Sequence, residues 1–271
     1  MAPMRVAIVI PTADPSKGHA ARAIAQAKAT TAHLGATVHV IQSSGPGFRF
    51  SRSINRGLRA APDADAWVLL NDDCEMDDGW LDRLLAAVAA HPEVGVFGGV
   101  LRFPDGRLQH TGGYFARALP FIVRNTLRNR APFWAVRQAR RMAKQGMLCT
   151  GHHHRVAEGR RLGFVTGALM LITRACRERV GDYDEDYEFG YEDIDYSLRV
   201  REAGLALGIV ADATGIHLQT ASGGSLKEAY LRSEQVFRSR WPPARILKAV
   251  PGGQAPAVLH GAGHRCSCQT L

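Results

Sequence analysis

Residues 66–80 read AWVLLNDDCEMDDGW, an apolar run that stops at Leu70 and gives way to five acids between Asp72 and Asp78. A short apolar run without polar alternation is the pattern of a strand buried on both faces, and the sudden charge marks its exposed end. Carboxylates gathered at one strand tip repel each other. They persist there at little cost only where a cation sits or where water screens each group. Asn71 and Asp73 are two apart, so on an extended strand end they point to the same side, a spacing that suits a divalent metal, and hard oxygen ligands select Mg2+ or Mn2+. Asp77 and Asp78 have a plainer reading, with Asp78 as the N-cap of the next helix and Asp77 as a turn residue.

Outward from this stretch, apolar runs alternate with helical patterns. RVAIVI (5–10), ATVHVI (36–41), AWVLL (66–70), VGVFGGVL (94–101), FVTGALMLI (164–172) and ALGIVAD (206–212) read as strands. Helices are expected over about 20–34, 53–60, 79–90 and 192–203. The alternation predicts an open α/β sheet, mainly parallel, with right-handed crossovers and flanking helices. Ligands of such sheets bind beyond the carboxyl ends of the strands, where Pro11-Thr12, Gln42-Ser43-Ser44 and Asn71-Asp72-Asp73 fall.

With 271 residues, 46% of them hydrophobic, the chain is long enough for a substantial core. Its five cysteines show no CxxC pair, which argues against a disulfide framework or a structural zinc site and fits a reducing, cytoplasmic setting. The N-terminus reads as a first strand rather than a signal peptide, and no segment approaches the apolar length of a membrane span. The net charge of +9 is uneven, because residues 106–157 contain ten Lys or Arg and no acid. Apolar residues such as Phe121, Ile122, Phe133 and Trp134 interleave with that charge. Two readings stand for this basic insertion, about 115–150: an amphipathic segment making peripheral contact with the inner, anionic face of a membrane, or a solvated helix pair. No recognised nucleic-acid-binding motif accompanies it, so nucleic acid is not expected as a partner. The domain is expected to span 1–230, and the Gly- and Pro-rich residues toward 271 read as a partly disordered extension over 231–271.

A second acidic centre lies in DYDEDYEFGYEDIDYSLRVREAGL (182–205), where Glu192 and Asp193 open a helix. Helix capping explains one acid. An acid pair flanked by Tyr183, Tyr187, Phe189 and Tyr191 also has the composition of a sugar-binding rim with a general base. His217, just past the strand ALGIVAD, is placed to add a neutral imidazole to a metal shell.

VAIVIPT, FSRSINRGL, LLNDDCEMDDGWLDRLL, FVTGALMLITRACRERVGDYDEDYEFGYEDIDYSLRVREAGL and a histidine followed by Ser-Gly-Gly-Ser occur in that order over residues 5–226. Together they resemble glycosyltransferase family 2, inverting enzymes of the GT-A fold, and within it the rhamnosyltransferase-like members. The resemblance implies a nucleotide-sugar donor (UDP-, dTDP- or GDP-linked), a divalent Mn2+ or Mg2+, and a glycan or lipid-linked acceptor in surface polysaccharide synthesis. It implies donor contacts from Pro11, Thr12, Gln42, Asn55, Asn71, Asp72, Thr166 and Gly167, and metal contacts from Asp73, Asn71 and His217. It also implies Asp193 as general base, with Glu192 positioning the acceptor and His152 on the acceptor side. Asn71 stands where the family's DxD-like motif has its first acid, and Gln42 stands near where many members carry a base-reading Asp.

Other classes fit less well. A nicotinamide oxidoreductase needs GxGxxG after the first strand, where this chain has PTADPSKG. A processive synthase needs membrane spans and a QxxRW motif. A catalytically silent binder on the same fold is expected to lose the metal site or the base, and both sets of residues are present.

Overall fold

The structure, a computed structural model, describes residues 3–45, 47–117, 148–152, 162–218, 227–250 and 257–259. Most of the basic insertion, His153, His154 and the last residues of the chain lie outside the described residues.

The strand that the acid cluster ends on is β3 (Ala66–Leu70), buried along its whole length. β1 (Val6–Thr12) lies parallel beside it, and β2 (Thr37–Gln42) lies parallel on the other side of β1. β9 (Leu169–Thr173) flanks β3 on its far side and runs antiparallel to it. Next comes β5 (Val94–Arg102), then β10 (Ala206–His217) and β11 (Ala257–Leu259), giving the order β11-β10-β5-β9-β3-β1-β2. Two short strands are added off this path: β4 (Cys74–Met76) pairs antiparallel with the end of β10, and β6 (Leu108–His110) pairs antiparallel with β5. A separate ribbon of β7 (Gly113–Arg117) and β8 (Leu148–His152) frames the two ends of the basic insertion.

Side chains alternate across the sheet, and each face has its own core. Ile8, Ile10, Val68 and Leu70 pack with Trp80, Leu81 and Leu84 of α3 (Trp80–Ala90) and Ala27 of α1 (Gly18–Thr31). Ala7, Val9, Trp67 and Leu69 pack on the opposite face with Ile54 and Leu58 of α2 (Phe50–Ala60) and Cys176 of α4 (Arg174–Val180). Tyr196 and Val200 of α5 (Glu192–Glu202) join that second core. A third cluster joins Ile194 and Leu198 of α5 to Phe237 and Trp241 at α6 (Lys227–Arg240), and to Ile246 and Ala249 of α7 (Pro243–Ala249).

Four expectations change. In the run 164–172, the strand begins only at Leu169, and Phe164 makes an isolated bridge to Gly113 while its ring joins the third cluster. β10 continues past Asp212 to His217, so the histidine ends the strand instead of following it. Asp78 does not cap α3, whose first turn opens on Gly79 at φ 72°, while Asp77 receives the Thr214 hydroxyl. A boundary at residue 230 falls inside α6, and α6 and α7 pack on α5 through the third cluster.

At Gly57 of α2, which packs on β1, an added Cβ would stand 2.1 Å from Val9 Cγ1. Gly57→Ala is therefore expected to lower stability by about 1–3 kcal/mol through overpacking. Denaturant unfolding tests this: the midpoint falls at constant m, and Val9→Ala in the same chain recovers part of the loss.

Candidate active site

The carboxyl ends of β1, β2 and β3 stand side by side and carry Pro11, Thr12, Gln42, Asn71, Asp72 and Asp73. Pro11 and Thr12 are buried, and the Thr12 hydroxyl donates to Asp72 Oδ2 at 2.5 Å, tying the first strand end to the third. Gln42 is exposed; its carboxamide donates to Ala13 O at 3.5 Å, and its backbone carbonyl accepts from Arg56 at 3.4 Å.

Asp73 is buried in the turn between β3 and β4. Because β4 pairs with the end of β10, with Cys74 opposite His217, this turn meets the last residue of a strand far away in sequence. His217 Nε2 stands 3.1 Å from Asp73 Oδ1. Asn71 Nδ2 is 3.5 Å from the same nitrogen, and a turn of that carboxamide would present Oδ1 there instead. Asp73, Cys74 and His217 offer donor atoms that all lie within 4.8 Å of one another. Cys74, which the sequence reading did not single out, is the poorest ligand of the three. Burial and then the Asp73 charge push its thiol well above its ordinary range, and the protonated sulfur donates to Ala168 O at 3.5 Å.

The second acidic centre is built on the first turn of α5. Asp193 Oδ2 accepts from the Gly167 N–H at 2.9 Å and Oδ1 from the Ile194 N–H at 2.8 Å. Glu192 is buried, and its Oε2 has no hydrogen-bond partner among the described residues. Burial, then the Asp193 charge, push the Glu192 carboxyl up to about 8. Burial also raises Asp193, but its two backbone hydrogen bonds oppose that rise. Both Asp193 oxygens accept backbone N–H groups, which favours its anion, whereas a Glu192 oxygen has no such partner among the described residues.

The third acid of the helix start, Asp195, has a structural role. Its oxygens take Trp241 Nε1 at 2.8 Å, Tyr187 Oη at 3.2 Å and Arg199 Nε at 2.8 Å. Tyr191, at the cap, is the non-glycine described residue with positive φ, 70°. Such a conformation costs about 1–3 kcal/mol and persists only when neighbours impose it. Here the Tyr230 and Phe237 rings of α6 each lie 5.1 Å from its own.

The expected residues divide accordingly. Thr166 and Gly167 sit beside Asp193: Thr166 Oγ1 accepts from the Ala168 N–H, and the Gly167 N–H is committed to Asp193. Asn55 is committed to hydrogen bonds within the fold. It is buried in α2 with both amide hydrogens and its oxygen used on Tyr183 and Glu185, so it anchors the 183–185 loop. Tyr183 and Tyr187 form no rim, because both are buried, Tyr183 stacking on Tyr196 at 4.3 Å. His152 ends β8, opposite Gly113 of β7. The sequence reading missed Gln109, Tyr230 and Trp241; the sole sequence signal among them is that Gln109 directly precedes the HTGG stretch.

The family described as "Glycosyltransferase like family 2" matches residues 2–239. The chain belongs to this family of glycosyltransferases. An N-acetylglucosaminyl-diphospho-decaprenol L-rhamnosyltransferase of Mycobacterium tuberculosis is 29% identical over 170 residues, covering 62% of this chain and 52% of that protein. The O-antigen biosynthesis protein RfbC of Myxococcus xanthus is 30% identical over 171 residues, covering 63% of this chain and 12% of that one. This glycosyltransferase thus spans about half the length, or less, of these relatives. Among solved structures, GalNAc-T7 with UDP, GalNAc and Mn2+ superposes with a TM-score of 0.53 at 12% identity, over 93% of this chain and 52% of that one. The fold is GT-A. Among the described residues no helix is long and apolar enough to cross a membrane.

The raised Glu192 carboxyl has a stability signature. Glu192 has its folded value raised, so between the ordinary carboxylate range and about 8 the folded chain holds a proton that the unfolded chain has released. Stability is then full below the ordinary range and falls as pH rises toward 8. Melting temperatures of the wild type are expected to decline over that window, and Glu192→Gln, which cannot ionise, to flatten the decline. Parallel curves for the two proteins would contradict the raised Glu192 carboxyl.

Proposed function

We propose that this glycosyltransferase is a metal-dependent inverting enzyme that moves a sugar from a nucleoside-diphosphate donor to a hydroxyl of a lipid-linked or other glycan acceptor, in surface polysaccharide synthesis. The observation that carries the reading is the pair His217 Nε2 and Asp73 Oδ1, 3.1 Å apart. Two ligands of an octahedral ion at about 2.1 Å stand about 3.0 Å from each other, so the pair already has the spacing of neighbouring ligands. A carboxylate oxygen suits Mn2+ or Mg2+, the imidazole nitrogen favours Mn2+ of the two, and Asn71 supplies a third ligand, an oxygen, if its carboxamide turns. A bound divalent ion would supply positive charge against the departing diphosphate.

The chain's own residues account for the remaining steps. Asp193 holds its anion on backbone N–H groups, and each of its oxygens keeps a lone pair for the acceptor O–H. As the acceptor oxygen forms its bond to the anomeric carbon, the proton passes to Asp193, while the bond to the diphosphate breaks and its electron pair leaves with that group. One displacement inverts the configuration, and no covalent nucleophile is needed. Glu192, protonated, can donate a hydrogen bond to a neighbouring acceptor hydroxyl. Thr12, Asp72 and Gln42 line the strand ends where the donor's nucleoside part binds in this reading.

The M. tuberculosis relative's name specifies a diphospho-decaprenol acceptor, and RfbC's specifies O-antigen synthesis. A prenyl diphosphate is anionic and lies at a membrane surface. The ten cations and no acids of residues 106–157 complement it, which supports peripheral membrane contact through the insertion.

Two substitutions separate the roles. Asp193→Asn is expected to lower kcat by about 100- to 10,000-fold with donor binding retained. Asp73→Ala is expected to weaken binding of the nucleoside diphosphate in Mn2+, read as a lost thermal shift across UDP, dTDP and GDP. Wild-type transfer by Asp193→Asn would remove the base from the scheme.

A further inference from the structure

Gln109 holds the metal-side histidine at both ends. Its Nε2 donates to the backbone carbonyl of His217 at 3.0 Å, and its Oε1 lies 2.6 Å from His217 Nδ1. A carbonyl oxygen only accepts, so the amide nitrogen must be the atom on His217 O, and the orientation of the carboxamide follows from chemistry. The amide oxygen is then the atom on the ring. It too only accepts, so Nδ1 must carry a hydrogen. In the neutral ring the lone pair is left on Nε2, the atom that faces Asp73 Oδ1 and the Asn71 carboxamide.

We propose that Gln109 is a positioning residue that fixes His217 as the Nε2-donor tautomer and aims that lone pair at a divalent cation shared with Asp73. The inference rests on the metal reading above and adds to it the residue that makes the histidine competent. The fold explains the placement. β6 pairs with the end of β5, with Leu108 opposite Arg102, and Ile216 of β10 pairs with the same Arg102. A side chain at position 109 therefore reaches the last residue of β10 across β5. Gln109 is buried, so its two hydrogen bonds are sheltered from water. Partners of this kind orient a ligating imidazole, and losing them costs about 10–100-fold in metal affinity. A neutral carboxamide orients the ring without adding charge, and the site keeps the single negative charge of Asp73.

The test is Mn2+ titration by calorimetry on the full chain, without donor or acceptor, in wild type, Gln109→Leu, Gln109→Glu and Asp73→Ala. Gln109→Leu fills the same space but cannot accept, and it is expected to bind Mn2+ about 10–100-fold more weakly. Gln109→Glu can still accept from Nδ1–H, and is expected to recover most of that loss. Wild-type affinity in Gln109→Leu, alongside a weakened Asp73→Ala, would overturn the role of Gln109 alone. Equal losses in Gln109→Leu and Gln109→Glu would show that the bond to the His217 carbonyl matters and the tautomer does not. Wild-type affinity in Asp73→Ala would overturn the metal reading itself. Should Gln109→Leu fail to fold, 15N spectra of histidine-labelled wild type with Mg2+ decide the matter. The hydrogen is expected on His217 Nδ1, and a hydrogen on Nε2 would overturn the inference.

Discussion

Three residues between Thr166 and Ala168 tie the two acidic centres of this enzyme together. The Ala168 carbonyl accepts the Asn71 N–H at 3.0 Å, fixing the turn that carries Asp73, while the neighbouring Gly167 N–H holds Asp193 Oδ2 at 2.9 Å. Backbone groups of one short segment thus set the Asp73 turn and Asp193 relative to each other. A side chain at 167 would meet Asp193, since an added Cβ would lie 3.5 Å from its Cβ. This segment is no strand, because its hydrogen bonds are taken by the two centres instead of by a neighbouring strand.

Each centre is then braced from its own side of the molecule. On the Asp73 side, β4 and β6 are short additions at the carboxyl end of the sheet, one placing Asp73 and the other Gln109 around His217. On the Asp193 side, the C-terminal helices act on the start of α5. Trp241 bonds Asp195, Ser233 Oγ accepts the N–H groups of Glu188 and Phe189, each at 3.0 Å, and the rings of Tyr230 and Phe237 flank the left-handed Tyr191. A buried acid pair repels itself and is costly to desolvate. Its persistence requires surroundings that cannot relax around it, and α6 and α7 supply them.

The fold was legible in the sequence where a single physical cause acted alone. The bounds of β3 follow from hydrophobicity ending at a charge, and the bounds of α5 follow from acids at its first turn and arginines at its last. The reading failed where an apolar residue served something other than a strand. Phe164 and Val165 extend the run into β9 by composition, yet Phe164 belongs to the cluster with Trp241 and Val165 to the core beneath β5. Asn55 has the composition of a ligand contact, and only the tertiary structure reveals that Tyr183 and Glu185 consume it. Asp73, Asp193 and His217 stood out as candidates because charged or imidazole groups at strand and helix ends have few structural uses. Gln109 and Trp241 did not, because a glutamine or tryptophan has many, and their partners lie 108 and 46 residues away.

The central claim is that Asp73 and His217 hold a divalent cation in front of the strand ends where the donor lies. Anomalous diffraction at the manganese edge, from crystals grown with Mn2+ and a nucleoside diphosphate, tests it most directly. The account predicts one strong peak in contact with Asp73 Oδ1 and His217 Nε2 and adjoining the diphosphate. A diphosphate bound at those strand ends with no manganese beside Asp73 and His217 would contradict it.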